Sequence, residues 1–230
     1  MTQAPPLYGA VRLSEGFMQN YITRRQTATM IVAAPFLGFF STPALATMRK
    51  RAVVARSLHQ CFAEAGGQRR ELRIGDPIYV GDTVDVPGAA KLKLRVDDSS
   101  VISLASGSQL TINTFGIDTF EQKRDARLTL TTGLLRAVVS PLSEPSIFEV
   151  DCPAGAAEVR STDWFMEAQP GSMRVGVLAG RVIMTSLATG RRVTIPRRWG
   201  AHLEAGLDPV PARLWSSDEF ADVIARTDVP

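Results

Sequence analysis

KLKLRVDDSSVISL, residues 91–104, decides how the rest of the chain is read. Leu92, Leu94 and Val96 fall on one side of a two-residue period, with Lys91, Lys93 and Arg95 on the other. That alternation is the signature of a half-buried strand. Asp97-Asp98-Ser99-Ser100 follows as four short polar side chains able to bond back to the backbone, so the chain turns there, and Val101 to Leu104 returns. The stretch predicts a β-hairpin.

Short apolar runs of the same kind recur at Gln109 to Asn113, Leu128 to Thr131, Leu134 to Val139, Ile147 to Val150, Met173 to Leu178 and Val182 to Ser186. Gly133, Gly155, Gly171, Gly180 and Gly190 lie between or beside them. Spacings near ten residues with turn signals are shared by sandwiches, barrels and β-solenoids, so the class is all-β. Upstream, Ile74-Gly75-Asp76-Pro77-Ile78 is echoed by Val80-Gly81-Asp82-Thr83-Val84, a six-residue repeat compatible with a solenoid-like course. Residues 52–65 have a composition that also admits a helix ending at Gly66-Gly67. Near the end, Ser216 to Arg226 predicts a short helix with Ser217 as cap and Phe220, Val223 and Ile224 on one face.

The N-terminus reads as a leader. Arg24-Arg25 precedes the apolar run Met30 to Phe40, and Ser41-Thr42-Pro43-Ala44-Leu45-Ala46 supplies the small residues of a cleavage site after Ala46. The run is too short for the roughly 20 residues of a spanning helix, so no stable transmembrane anchor is expected. Met18 offers an alternative start, and the arginine pair leaves Sec and twin-arginine export both open. Of 26 basic and 23 acidic residues, three and one fall in positions 1–46, leaving 23 against 22. A nearly neutral chain without a basic stripe speaks against nucleic acid. Two local basic clusters remain: Arg49-Lys50-Arg51, and Arg191-Arg192 with Arg197-Arg198. They read as solvated strand ends or as contacts for an anionic envelope partner.

Cys61 and Cys152 are the two cysteines. In an oxidising compartment they could form one disulfide; otherwise they are two small buried hydrophobes. His59 and His202 form no metal-ligand cluster with them, so no metal and no cofactor is expected. Ser161, Asp163 and His202 supply a serine, an acid and a histidine, but no GxSxG elbow surrounds Ser161, and the chain reads as a non-enzyme. Trp164, Trp199 and Trp215 could build a sugar-stacking surface, which supports an alternative reading as a cell-wall or carbohydrate-binding envelope module.

Taken in order, these residues resemble the FecR domain family over residues 71–190. The matching elements are LRIGDPI (72–78), VGDTV (80–84), LRVDDSSVISL (94–104) with Ser108, and TGLL (132–135). They continue with FEV (148–150) running into CPAG (152–155), VRSTDWF (159–165) and VGVLAGRV (175–182). The motif positions are Gly75, Asp76, Gly81, Asp82, Asp98, Ser108, Gly133, Pro153, Arg160, Thr162, Phe165 and Gly180. The chain departs from the family at Cys152, where Thr is usual, and at Ser161, where Gly is usual.

The resemblance implies a β-solenoid or sandwich-like domain of many short strands in residues 71–190. Residues 47–70 form a segment leading into it, in extended form, and residues 191–230 a C-terminal extension with the short helix. Within the domain it implies that Val159 to Thr162 is a hinge between strands, with Thr162 and Asp163 holding a turn and Phe165 packing inward. Family members sense signals in the periplasm as part of transmembrane regulators acting on extracytoplasmic sigma factors. Too few residues precede Met30 for an anti-sigma segment, so the expectation is a free-standing exported module. Its partner would be an envelope protein, either a receptor or a transmembrane regulator, or peptidoglycan.

Overall fold

The computed structural model describes residues 50–118, 120–121, 123–142 and 146–230. The leader expected over residues 1–46 lies outside the described residues. The first strands are β1 (Lys50–Leu58), β2 (Cys61–Ala65), β3 (Gln68–Leu72), β4 (Pro77–Tyr79), β5 (Thr83–Val86) and β6 (Lys91–Val96). There follow β7 (Val101–Leu104), β8 (Ser108–Asp118), β9 (Lys123–Val139), β10 (Ile147–Asp151), β11 (Gly155–Val159) and β12 (Thr162–Gln169). The last are β13 (Ser172–Ala179), β14 (Arg181–Ser186), β15 (Arg192–Pro196), β16 (Trp199–Glu204) and β17 (Arg213–Leu214), before helix α1 (Ser217–Thr227).

The strands sort into two sheets. The front sheet runs β4-β1-β6-β7-β9-β12-β13-β16-β17 and is antiparallel throughout. The back sheet runs β3-β2-β5-β8-β9-β10-β11-β14-β15, with β9 and β10 as its parallel pair. Residues 52–58 and 61–65 are extended and belong to the two sheets as β1 and β2, with a bend at His59; Ala52 and Val54, then Cys61 and Ala63, alternate into the core. The all-β class expected from the pattern is the one observed, with the short helix at the C-terminal end.

Each sheet turns one face to the other, and their inward side chains form a single apolar cluster. Leu92, Leu94, Ile102, Leu135, Trp164 and Val175 come from the front, and Val84, Leu110, Leu128, Phe148, Val150 and Met184 from the back. This is the layered solution for sheets that each have one apolar face.

Strand β9 belongs to both layers. Residues 123–132 pair with β8 and residues 125–129 with β10, whereas residues 133–139 pair with β7 and β12. The crossing is at Gly133, whose φ of +95° suits glycine and few other residues. A Cβ there would collide with Ser108. The fully buried Ser108 hydroxyl donates to Leu134 O at 3.1 Å and accepts from Leu134 N at 3.0 Å, satisfying the backbone where the ladder changes sheets. Two expected motif residues, 25 positions apart in sequence, thus form one joint.

The Gly-Asp echo is a repeated turn. In both copies the glycine has φ near +90°, and the aspartate N–H donates to the carbonyl three residues back. In both, the aspartate Oδ2 also accepts from that residue's N–H at 2.8 Å. Gly75 and Asp76 clip onto Val54 of the front sheet, and Gly81 and Asp82 onto Ile112 of the back sheet, each by a pair of backbone bonds. One sequence device therefore fastens the chain once to each layer.

Helix α1 lies on the outer face of the front sheet. Ser216, rather than the expected Ser217, is its cap, because Glu219 stands three residues beyond Ser216 and completes a capping box. Phe220, Val223 and Thr227 are the buried residues, while Ile224 is 36% exposed. Lys91 Nζ donates to Ala225 O and Asp228 O, and Lys93 Nζ to Val229 O, placing cations against the helix C-terminus. Trp215 stacks over Gly176 and Gly200, where any side chain would collide with its ring.

Candidate functional site

At one end of the sandwich five segments meet around a single guanidinium. Arg124 opens β9 on the inward phase of its alternation, and its side chain is fully buried. Nη1 is ion-paired to Asp98 Oδ2, donates to Ser140 O at 3.3 Å and lies 3.5 Å from Ser100 Oγ. Nη2 donates to Arg160 O at 3.1 Å, and the guanidinium sits 5.3 Å from the Phe148 ring centroid.

The β6–β7 turn holds the acceptor in place. Asp98 Oδ1 accepts from Ser100 N at 2.8 Å and Oδ2 from Ser100 Oγ at 2.9 Å, while Ser100 Oγ accepts from Ser140 N at 3.0 Å. The polar turn residues do bond back to the backbone as expected. Their larger role, anchoring a buried cation, depends on Arg124, which sequence reasoning missed. A signal existed: Arg124 is in phase with Ala126, Leu128 and Leu130 and therefore points into the core.

Beside this hub, the β11–β12 and β13–β14 turns wall a cleft of about 560 Å³ on the outer face of the back sheet. Glu158, Ile183 and Thr194 form its floor as one cross-strand row. Arg160, Ser161 and Thr162 make one rim, and Gly180 and Arg181 the other. Thr162 Oγ1 donates to Arg181 O at 3.2 Å, and a Cβ on Gly180 would come within 2.5 Å of Ser161 O. Thr162 and Gly180 therefore hold the two turns together, leaving Ser161 exposed on the rim.

Other expected roles are corrected. Asp163 holds no turn; it lies on the outer face of β12, and its carboxylate accepts two bonds from Arg136, at 2.8 and 3.0 Å. This bond raises the Arg136 guanidinium above its ordinary value. Phe165 does not pack between the sheets. Trp164 takes that side, so strand alternation sends Phe165 outward, where it is buried with Leu134, Trp215, Phe220 and Val223 beneath α1.

Cys61 and Cys152 are free and buried. Three strands, β5, β8 and β9, separate β2 from β10, which puts the two cysteines roughly 19 Å apart by strand spacing, far beyond disulfide reach. Burial raises both thiols above their ordinary values. Pro153 sits in the tight β10–β11 turn, where Cys152 N donates to Gly155 O at 2.8 Å.

Ser161, Asp163 and His202 are not brought together. His202 is level with Glu167, four residues along β12 from Asp163, and β13 intervenes. Trp164 and Trp215 are buried, leaving Trp199 as the one tryptophan with substantial exposure, at 38%. Among the described residues no group of three or more His, Cys, Asp or Glu could hold a metal ion, and no helix is long and apolar enough to cross a membrane.

Residues 82–183 match the family model described as FecR protein. No curated protein matches the chain. Two crystal structures, at 1.65 and 2.50 Å, of a protein described as a candidate anti-sigma factor from Parabacteroides distasonis ATCC 8503 are similar in part. Each shares 13% identity over 60% of this chain, with a TM-score of 0.49. The matched region spans 62% of those structures' length, and a likeness this partial says nothing about what the chain binds.

Proposed function

Because the chain carries a FecR domain, we propose that it is a non-enzymatic regulatory module of the cell envelope that acts by binding another envelope protein. The observation that carries the reading is where the motif side chains are spent. Asp76, Asp82, Asp98, Ser108 and Thr162 bond to backbone or to a structural arginine, and Gly133 and Gly180 allow close backbone approach. A motif devoted to fixing turns supports a scaffold whose surface, not a reactive group, does the work. Export to the periplasm after cleavage at Ala46 belongs to the same proposal and is motivated by the leader-like residues 24–46.

A photo-activated cross-linking residue at Ser161, used in living cells, tests the binding reading. Capture of a receptor or transmembrane regulator is expected, and capture of glycan strands alone would overturn it. Mass spectrometry of the mature N-terminus tests export: a start at Thr47 is expected, and an intact leader in the cytoplasm contradicts it.

A further inference from the structure

We infer that the cleft beside the β11–β12 turn binds an acidic segment of the partner protein in extended conformation, an assignment that rests on the protein-binding reading above. Charge is the first ground. Arg181 stands exposed on one rim, and among the described lining residues the only carboxylate is that of Glu158 on the floor. That carboxylate is already engaged by Arg192 at 3.4 Å.

Pro196 pairs with Arg181, so Arg197 and Arg198 continue from the same end of the sheet. Arg198 is fixed there by its N–H to Val177 O at 2.7 Å. Arg181, Arg197 and Arg198 are exposed and hold no carboxylate among the described residues, whereas Arg124, Arg136 and Arg174 each hold one. Of these Arg181 lines the cleft, and Arg197 and Arg198 follow at the same end of the sheet; exposed cations on and beside a concavity attract an anionic partner and set its orientation.

Shape is the second ground. The floor row Glu158-Ile183-Thr194 crosses β11, β14 and β15 and reaches the sheet margin. Strand β15 hydrogen-bonds to β14 on one side, and its other edge is open among the described residues. An open edge recognises an extended backbone, and Ile183 offers an apolar contact between charged positions. A flat lipid surface would use the arginines but neither the recessed floor nor the edge. The competing account is that Arg192 and Pro196 merely guard the edge against unwanted pairing.

Fluorescence anisotropy with the full chain separates these accounts. The probe is a labelled peptide of about ten residues alternating Glu and Thr, with a Lys-Thr peptide as comparison. The acidic peptide is expected to bind and the basic one not, with binding falling as salt rises. Arg181→Glu and Arg198→Glu should each weaken it on the order of tenfold. Arg95→Glu, at an exposed arginine of the front sheet, should leave it unchanged.

Equal binding of both peptides, no binding at millimolar peptide, or an equal loss with Arg95→Glu overturns the inference. So does Arg181-dependent binding to phosphatidylglycerol vesicles that the acidic peptide fails to displace. Capture of an envelope protein by cross-linking at other surfaces would leave the protein-binding reading standing while this cleft is rejected.

Discussion

Two aspartates, Asp82 and Asp98, sit in turns at full burial, and each receives an arginine from another strand. Asp82 meets Arg70 of β3, whose side chain is 35% exposed at the margin of the back sheet. Asp98 meets Arg124, which is wholly enclosed and has one buried nitrogen, Nε, without a partner. At the edge, water can take over the guanidinium when the bond breaks; inside, nothing can. The carboxylates look alike, and it is the solvation of the cation that separates a fastener from a keystone.

The largest test of this contrast is Arg124→Ala. It strands a buried carboxylate and frees Ser140 O and Arg160 O, so a loss of about 3–5 kcal/mol is expected from urea unfolding. Asp98→Ala combined with Arg124→Leu should recover part of that loss. A cost near 1 kcal/mol for the single variant would break the distinction.

Ser100→Ala comes next. It removes one donor to Asp98 and the acceptor of Ser140 N while keeping the ion pair, and about 2 kcal/mol is expected by the same measurement. Arg70→Ala should cost less, about 1–2 kcal/mol, because Arg70 lies at the solvent margin, so its removal admits water to Asp82, which also keeps its bond from Tyr79 N. Molar salt should shrink this penalty and leave that of Arg124→Ala intact. Donating to the Asp82 carboxylate raises the Arg70 guanidinium further, so the pair persists across the accessible alkaline range.

The smallest effect extends the comparison to the surface, where Arg213 pairs with Glu219 at 2.5 Å. This bond, helped by Ser216 N–H, holds the Glu219 carboxyl down at about 2. A depressed carboxylate stabilises the fold above its ordinary value near 4.5 and loses that contribution as pH falls toward 2. Trp215 fluorescence should therefore report a loosening of α1 between those limits. The difference should be well under 1 kcal/mol, and Glu219→Gln should abolish it.

The hairpin of residues 91–104 was legible because alternation and turn chemistry are local properties. The same holds for the helix near residue 217, off by one residue at its cap. What was not legible depends on pairing across distance. The Asp98 turn could be read; its partner 26 residues later could not, since alternation gives a side chain's phase and not what it will meet. Two adjacent aromatics, Trp164 and Phe165, must point to opposite faces, yet their order gives no sign that a helix from residues 217–227 would cover the outer one. The cysteines mislead for the same reason: an even count carries no information about the three strands between them.

Strand β9 has a consequence for how the molecule comes apart. Its 17 residues supply rungs to four neighbours distributed over both layers. Neither layer can melt while the other survives, because each would take half of the other's central strand with it. The fold therefore yields as one cooperative unit, and its amides near Gly133 belong to the last population to exchange with solvent.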